Sequence, residues 1–139
     1  MVPEWVKTRP ELVDRVLCNW GANDAQFLPG GGWSPEIDHA TWVSQYGAIL
    51  DYLHGRFPNA RLWVMRPWRR GLDTQCATLS GWIDEVLSTR SAFASAGPDE
   101  AIWLKADDNG LLETDAGGVH YTALGNQLCA EAWATALGY

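Results

Sequence analysis

Hydrophobic and polar positions along the chain follow two distinct periods. Between Ile37 and Phe57, apolar groups recur at Trp42, Tyr46, Ile49, Leu50, Leu53 and Phe57, one face of a 3.6-residue repeat. This pattern predicts a helix. Ser34-Pro35-Glu36 is its start signal, Asp38 adds charge that favours the first turn, and Phe57-Pro58-Asn59 stops it. A second helix is predicted from about Thr74 to Ala94, with Asp73 as N-cap and Leu79, Ile83, Val86 and Leu87 inward. A third is predicted from Thr122 to Leu137, with Leu124, Leu128, Ala132 and Trp133 inward, ending before Gly138. Between these segments lie short runs of aliphatic and aromatic residues that predict strands: Leu12 to Cys18, Arg61 to Arg66, and Ala101 to Leu104 after the turn signal Gly97-Pro98-Asp99.

Strands alternating with helices imply a parallel sheet with right-handed crossovers, its strands covered on both faces. The expected fold is therefore α/β, a three-layer α/β/α, flavodoxin-like arrangement with a reduced parallel sheet, formed as one domain over residues 1–139. Ligand sites in such folds lie at the carboxyl ends of the strands. The loops there are Asn19 to Pro35, Pro67 to Asp73 and Ala106 to Tyr121, and they hold nearly all the unusual polar residues.

Composition narrows the partners. The chain is 47% hydrophobic and 19% charged, with no apolar run long enough to span a bilayer. Ten basic against seventeen acidic residues give a net charge of −7, a field that repels phosphate backbones and argues against nucleic acid. The one basic cluster, Arg66 to Arg70, is too small to reverse it. Cys18, Cys76 and Cys129 are widely spaced, form no CxxC pair, and read as small buried hydrophobes rather than zinc ligands or disulfides. The amino terminus lacks the apolar core of a signal peptide, so a cytoplasmic location is the default expectation, provided Met1 is the native start.

Few polar motifs carry chemistry. Gly30-Gly31-Gly32 has no following Gly-Lys-Ser/Thr and reads as a turn, and Asp107-Asp108-Asn109-Gly110 lacks the spacing of a calcium loop. His39 and His54 have no paired ligand at i+3 or i+4, so they read as surface or helix-packing residues, with no metal and no cofactor expected. His120 differs. It sits just before a helix start, in a loop at the predicted functional edge, where a histidine can serve as a general base near neutral pH. Asp115 is the nearby carboxylate that could orient its ring, and Glu113 is a weaker substitute. Gly21-Ala22-Asn23-Asp24 ends another strand of the same sheet.

Gly21-x-Asn23-Asp24 after a strand resembles the third conserved block of the SGNH, or GDSL-like, ester hydrolases. Gly118-Val119-His120-Tyr121-Thr122-Ala123-Leu124-Gly125 resembles their last block, in which the histidine precedes the final helix. Tyr46 to Pro67 resembles the family's helix–Pro–strand segment, so the likeness covers most of the chain. The resemblance implies that Asn23 donates its side-chain amide to the oxyanion of an ester hydrolysis and that His120 takes the nucleophile's proton and returns it to the leaving alcohol. It implies that Asp24 braces the loop by hydrogen bonds and that Gly21 permits the tight turn.

Two departures accompany it. The family's Gly-Asp-Ser block is absent: none of the twenty-two residues before Asn23 is serine, and Ser80-Gly81 falls inside a predicted helix rather than an elbow. The position three residues before the histidine, where the family's acid sits, is Gly117, while Asp115 lies five before. Lacking the serine strand beside it, the Leu12 to Cys18 strand would be a bare hydrophobic edge, so the chain is expected to pair with a second copy or another segment. Trp20, Trp33 and Trp68 lie in loops at the functional edge, where indole faces suit sugar stacking; Arg66 and Tyr121 join Trp20 and Trp68 as expected substrate contacts. Core filling is the competing reading for these tryptophans. The expected activity is thus an SGNH-type esterase, with carbohydrate esters as a candidate substrate class, or the Asn- and His-bearing part of one. The alternatives are a non-catalytic binding module on a degenerate hydrolase fold and a truncated product with no activity of its own.

Overall fold

The computed structural model describes residues 9–104, 110–112 and 120–139. Three parallel strands form the sheet in the order β1 (Arg15–Cys18), β2 (Arg61–Arg66), β3 (Ala94–Asp99). Helix α1 (His39–Arg56) connects β1 to β2, and α2 (Asp73–Ser88) connects β2 to β3. A single turn, α3 (Glu100–Trp103), follows β3 directly, and α4 (Ala123–Ala136) closes the chain. Successive strands add in one direction, so right-handed crossovers deliver α1 and α2 to the same face.

The two faces of β2 separate the core. Leu62 and Val64, with Cys18 of β1 and Ala94 of β3, pack under Leu50 of α1 and Leu79, Ile83 and Val86 of α2. Trp63 and Met65 point to the opposite face and pack with Cys129 and Trp133 of α4. The strand period of two therefore feeds two helical layers from one short segment. The expected three-layer α/β arrangement with a reduced parallel sheet is what forms.

Several local expectations are corrected. The third strand is not Ala101 to Leu104 but the preceding Ala94–Asp99, and Glu100–Trp103 is helical. The segment Ala-Ser-Ala-Gly-Pro-Asp lacks β-branched residues, and its Gly97-Pro98 signals a turn. It forms a strand because its packing demands small residues: a Cβ on Gly97 would lie 2.7 Å from the Trp133 ring. Pro98 sits where the β2–β3 register shifts, Val64 opposing Ala96 while Arg66 opposes Asp99. A missing N–H is tolerated at such a bulge in an edge strand. β1 is shorter than expected, since Pro10–Leu12 forms a 3₁₀ turn.

Helix ends shift by a few residues. Asp38 caps α1, its Oδ1 accepting from the Thr41 amide at 2.9 Å, so the helix starts after Ser34-Pro35-Glu36 rather than on it. Asp73 is the first residue of α2, with Leu72 at the cap, and the helix ends at Ser88, six residues before the expected Ala94, which instead opens β3. On α4 the buried stripe is Gly125, Cys129 and Trp133, and Leu124 is 51% exposed instead of inward. Close approach of Gly125 to the Leu111 carbonyl, which a Cβ would meet at 2.1 Å, sets that rotation. Ile49 likewise lies outward on α1. Among the described residues, no helix is long and apolar enough to cross a membrane.

Candidate functional site

At the carboxyl end of β1 the chain leaves the sheet at Cys18 and turns through Gly21, whose φ of 114° lies in the region that favours glycine. The Asp24 amide donates to the Gly21 carbonyl at 2.9 Å, and a 3₁₀ turn over Asp24–Phe27 follows. Asp24 Oδ2 accepts from the Trp42 indole N–H at 3.0 Å, which ties this loop to α1. Asn23 is held from a third direction. Its Oδ1 accepts from the Arg69 guanidinium at 2.6 Å. A guanidinium can only donate, so the bond fixes which end of the amide faces Arg69 and leaves Nδ2 as the donor on the other side.

The loop after β2 supplies the opposite wall. Pro67, Trp68 and Arg69 are all buried. The Trp68 amide donates to Glu100 Oε2 at 2.7 Å, and its indole N–H donates to Asp73 Oδ1 at 3.0 Å. Glu100 is only 4% exposed, at the first residue of α3. Burial pushes its carboxyl up to about 7; the Trp68 amide opposes this, and neighbouring Asp99 adds to it. His120 reaches the same end of the sheet through the start of α4. Thr122 caps that helix, its Oγ1 accepting from the Gly125 amide at 3.1 Å and donating to the Gly110 carbonyl at 2.6 Å. Tyr121 forms an antiparallel bridge with Leu112, so residues 110–112 hold the residue next to His120 in place.

These segments border an open cleft of about 430 Å³ lined by Trp20, Gly21, Asn23, Asp24, Pro67, Trp68, Glu100, His120 and Tyr121, with Asn19 and Ala22. Asn23 and His120, from opposite ends of the sequence, share one cleft. A second cavity of similar volume meets it at Asp24 and is mainly apolar, with Phe27, Ile37, Trp42, Tyr46 and Ile49 in its walls.

Of the residues singled out from sequence, Trp20, Trp68 and Tyr121 line the first cavity together with Gly21, Asn23, Asp24 and His120. Trp20 also carries a buried indole N–H with no acceptor among the described residues. Arg66 does not line it: its guanidinium pairs with Asp84 of α2. Trp33 packs edge-on against Phe27 instead, at 5.1 Å between ring centroids. Asp115 and Glu113 lie outside the described residues. His39 pairs with Glu85 at 2.8 Å and His54 stacks on Phe93, so both are helix-packing residues. Glu100 and Arg69 were not foreseen. Glu100 falls between the expected turn at Gly97-Pro98-Asp99 and the expected strand from Ala101, and Arg69 falls inside a basic cluster read only for its net charge.

None of the six serines, Ser34, Ser44, Ser80, Ser88, Ser91 and Ser95, lines the cavity. Ser80 borders a smaller neighbouring cavity that shares Pro67 and Trp68. The cysteines do not replace a serine. All three are buried as free thiols, and burial pushes Cys18 up to about 12 and Cys76 up to about 11. Among the described residues there is no cluster of three or more histidine, cysteine or acidic side chains able to hold a metal ion.

A structural match decides the fold. A protein from Parabacteroides merdae, provisionally named a GDSL-like lipase, superposes with a TM-score of 0.59 at 18% identity. The match takes in 97% of this chain and 67% of that one. The fold is GDSL-like. No protein-family model and no curated protein matches the sequence. The likeness therefore speaks for the architecture alone, not for the motifs or an activity.

Proposed function

We propose that this chain carries the oxyanion-binding and proton-transferring part of an SGNH-type carboxylic ester hydrolase. The observation that supports it most is the meeting of Asn23 and His120 in one cavity at the carboxyl edge of the sheet, on a GDSL-like fold. In this reading the nucleophile's oxygen adds to the ester carbonyl while His120 takes its proton. The carbonyl oxygen gains negative charge and accepts from Asn23 Nδ2, whose direction Arg69 maintains. Collapse breaks the bond to the alcohol oxygen, and His120 returns the proton to it. Asp24 keeps the loop in register, and Asp115 is the proposed partner of the imidazole. Trp20, Trp68 and Tyr121 form the substrate wall, with acyl groups on a carbohydrate as the candidate class.

The nucleophilic serine is proposed to come from a segment or second copy that pairs with the β1 edge. A second reading, a binding module that retains the cavity without turnover, is favoured by the lack of any serine among the lining residues. Hydrolysis of a short-chain aryl ester, with Asn23→Ala and His120→Ala as controls, separates the two. Turnover lost in both variants supports the hydrolase. Turnover indifferent to both removes these residues from the chemistry, and saturable sugar binding without turnover favours the binding module.

A further inference from the structure

Glu100 is a buried carboxyl group that lines the Asn23–His120 cavity and has no role in the steps above. Oε2 accepts from the Trp68 amide at 2.7 Å. The next residue, Arg69, is itself buried and donates to Asn23 Oδ1 at 2.6 Å. A continuous connection thus runs from the end of β3, through the backbone of the β2 loop, to the side-chain amide at the end of β1. Each link is short, and each belongs to a buried or semi-buried group, where hydrogen bonds are strong and their loss is costly.

We propose that Glu100 is a positioning residue whose charge state sets the orientation of the Asn23 amide through Trp68 and Arg69. As a carboxylate it is a strong acceptor that draws in the Trp68 amide and fixes the Pro67–Arg69 turn, which holds the guanidinium on Asn23. As a neutral acid it accepts weakly and the turn loosens, so the cavity is organised in the ionised form and relaxed in the protonated one. This deepens the proposed hydrolase reading, although the connection exists whether or not an ester is the ligand.

The groups that face this carboxyl are few. Asp99 precedes it on β3 and disfavours its charge. Cys76 on α2 and Cys129 on α4 are neutral thiols that sense it. Asp24 and His120 share the cavity, and Arg69 is the nearby cation. Because burial brings the carboxyl to about 7, the change of state falls at neutral pH.

The test is a ¹⁵N NMR titration between pH 5 and 9 of the Asn23 side-chain amide and the Trp68 backbone amide, in the wild-type chain, Glu100→Gln and His120→Gln. The expected result is a shared midpoint near 7 for both signals in wild type and in His120→Gln, and its loss in Glu100→Gln, which still presents an acceptor to Trp68. Signals that do not move with pH, or that move equally in Glu100→Gln, overturn the proposal. Ester turnover is the second readout. Glu100→Gln should flatten the acid side of the kcat profile and lower kcat several-fold with little change in KM. If the wild-type chain alone hydrolyses no ester, the binding module or a serine supplied by a separate segment is favoured, and the titration by itself decides the role of Glu100.

Discussion

Asn23 is exposed at its tip, yet Arg69 holds it from behind, and that arrangement separates two consequences of removing it. Asn23→Ala should lower ester turnover by about 10²–10³-fold if its Nδ2 faces the oxyanion. It should also cost about 1–3 kcal/mol of stability, because the buried Arg69 guanidinium loses an acceptor. Kinetics and urea unfolding on one variant measure both. Glu100 acts in the opposite sense on stability. Its ordinary value of 4.5 is raised to about 7 in the fold, so below 4.5 both the folded and unfolded chains hold the proton and nothing is lost. As pH rises from 4.5 to 7 the unfolded chain ionises first, and stability falls by about 3 kcal/mol before levelling above 7. The Glu100→Gln variant should lack that decline, equalling wild type near pH 4.5 and exceeding it at pH 8 in denaturant midpoint. A group that lowers stability at neutral pH while lining a cavity fits a functional role better than a structural one.

Elements show where a sequence pattern is sufficient and where it is not. The inward stripe of α2 at Leu79, Ile83, Val86 and Leu87 was readable because nothing but a 3.6-residue period decides it. The β2 strand was readable from a different local signal, a short run of aliphatic and aromatic residues ending at a proline. β3 was not, because Ala94–Asp99 is selected by what the neighbouring helix leaves room for, a tertiary fact without a local signal. The site divides likewise: Asn23 and His120 stand in local motifs, whereas Glu100 becomes visible only once β3 is placed correctly. Helix α4 tests this view. Trp133→Ala should cost about 3–5 kcal/mol and Leu124→Ala no more than about 0.5 kcal/mol, although both were expected inward. Gly97→Ala, which adds a methyl group against the Trp133 ring, should cost about 1–3 kcal/mol by overpacking the same contact from the strand side. Thermal unfolding of the three variants gives the ranking.

On the scale of the whole molecule, the sheet is open along β1 among the described residues. Among the described residues β1 pairs only with β2, and its other side presents backbone groups with no strand beside them. The face opposite α1 and α2 is also incomplete there. Helix α4 lies over β3 and the near side of β2, while Leu17, paired with Trp63, remains 45% exposed. Arg15 reaches Tyr139 at the carboxyl terminus at 3.0 Å, which covers the lower end of β1 but not Leu17. An open edge and an uncovered apolar side chain on one four-residue strand are what a further strand would satisfy together. The same strand leads directly into the loop bearing Asn23, so whatever pairs with it would sit next to the cavity that lacks a serine. Leu17→Lys places a charge on that strand without touching the cavity lining, and charged edge residues oppose strand addition. The wild-type chain should therefore associate with rising concentration in sedimentation velocity, and Leu17→Lys should shift it toward monomer with an unchanged far-ultraviolet circular dichroism spectrum. A wild-type chain that stays monomeric throughout would show that β1 needs no second copy, and would leave a separate segment as the source of any added strand.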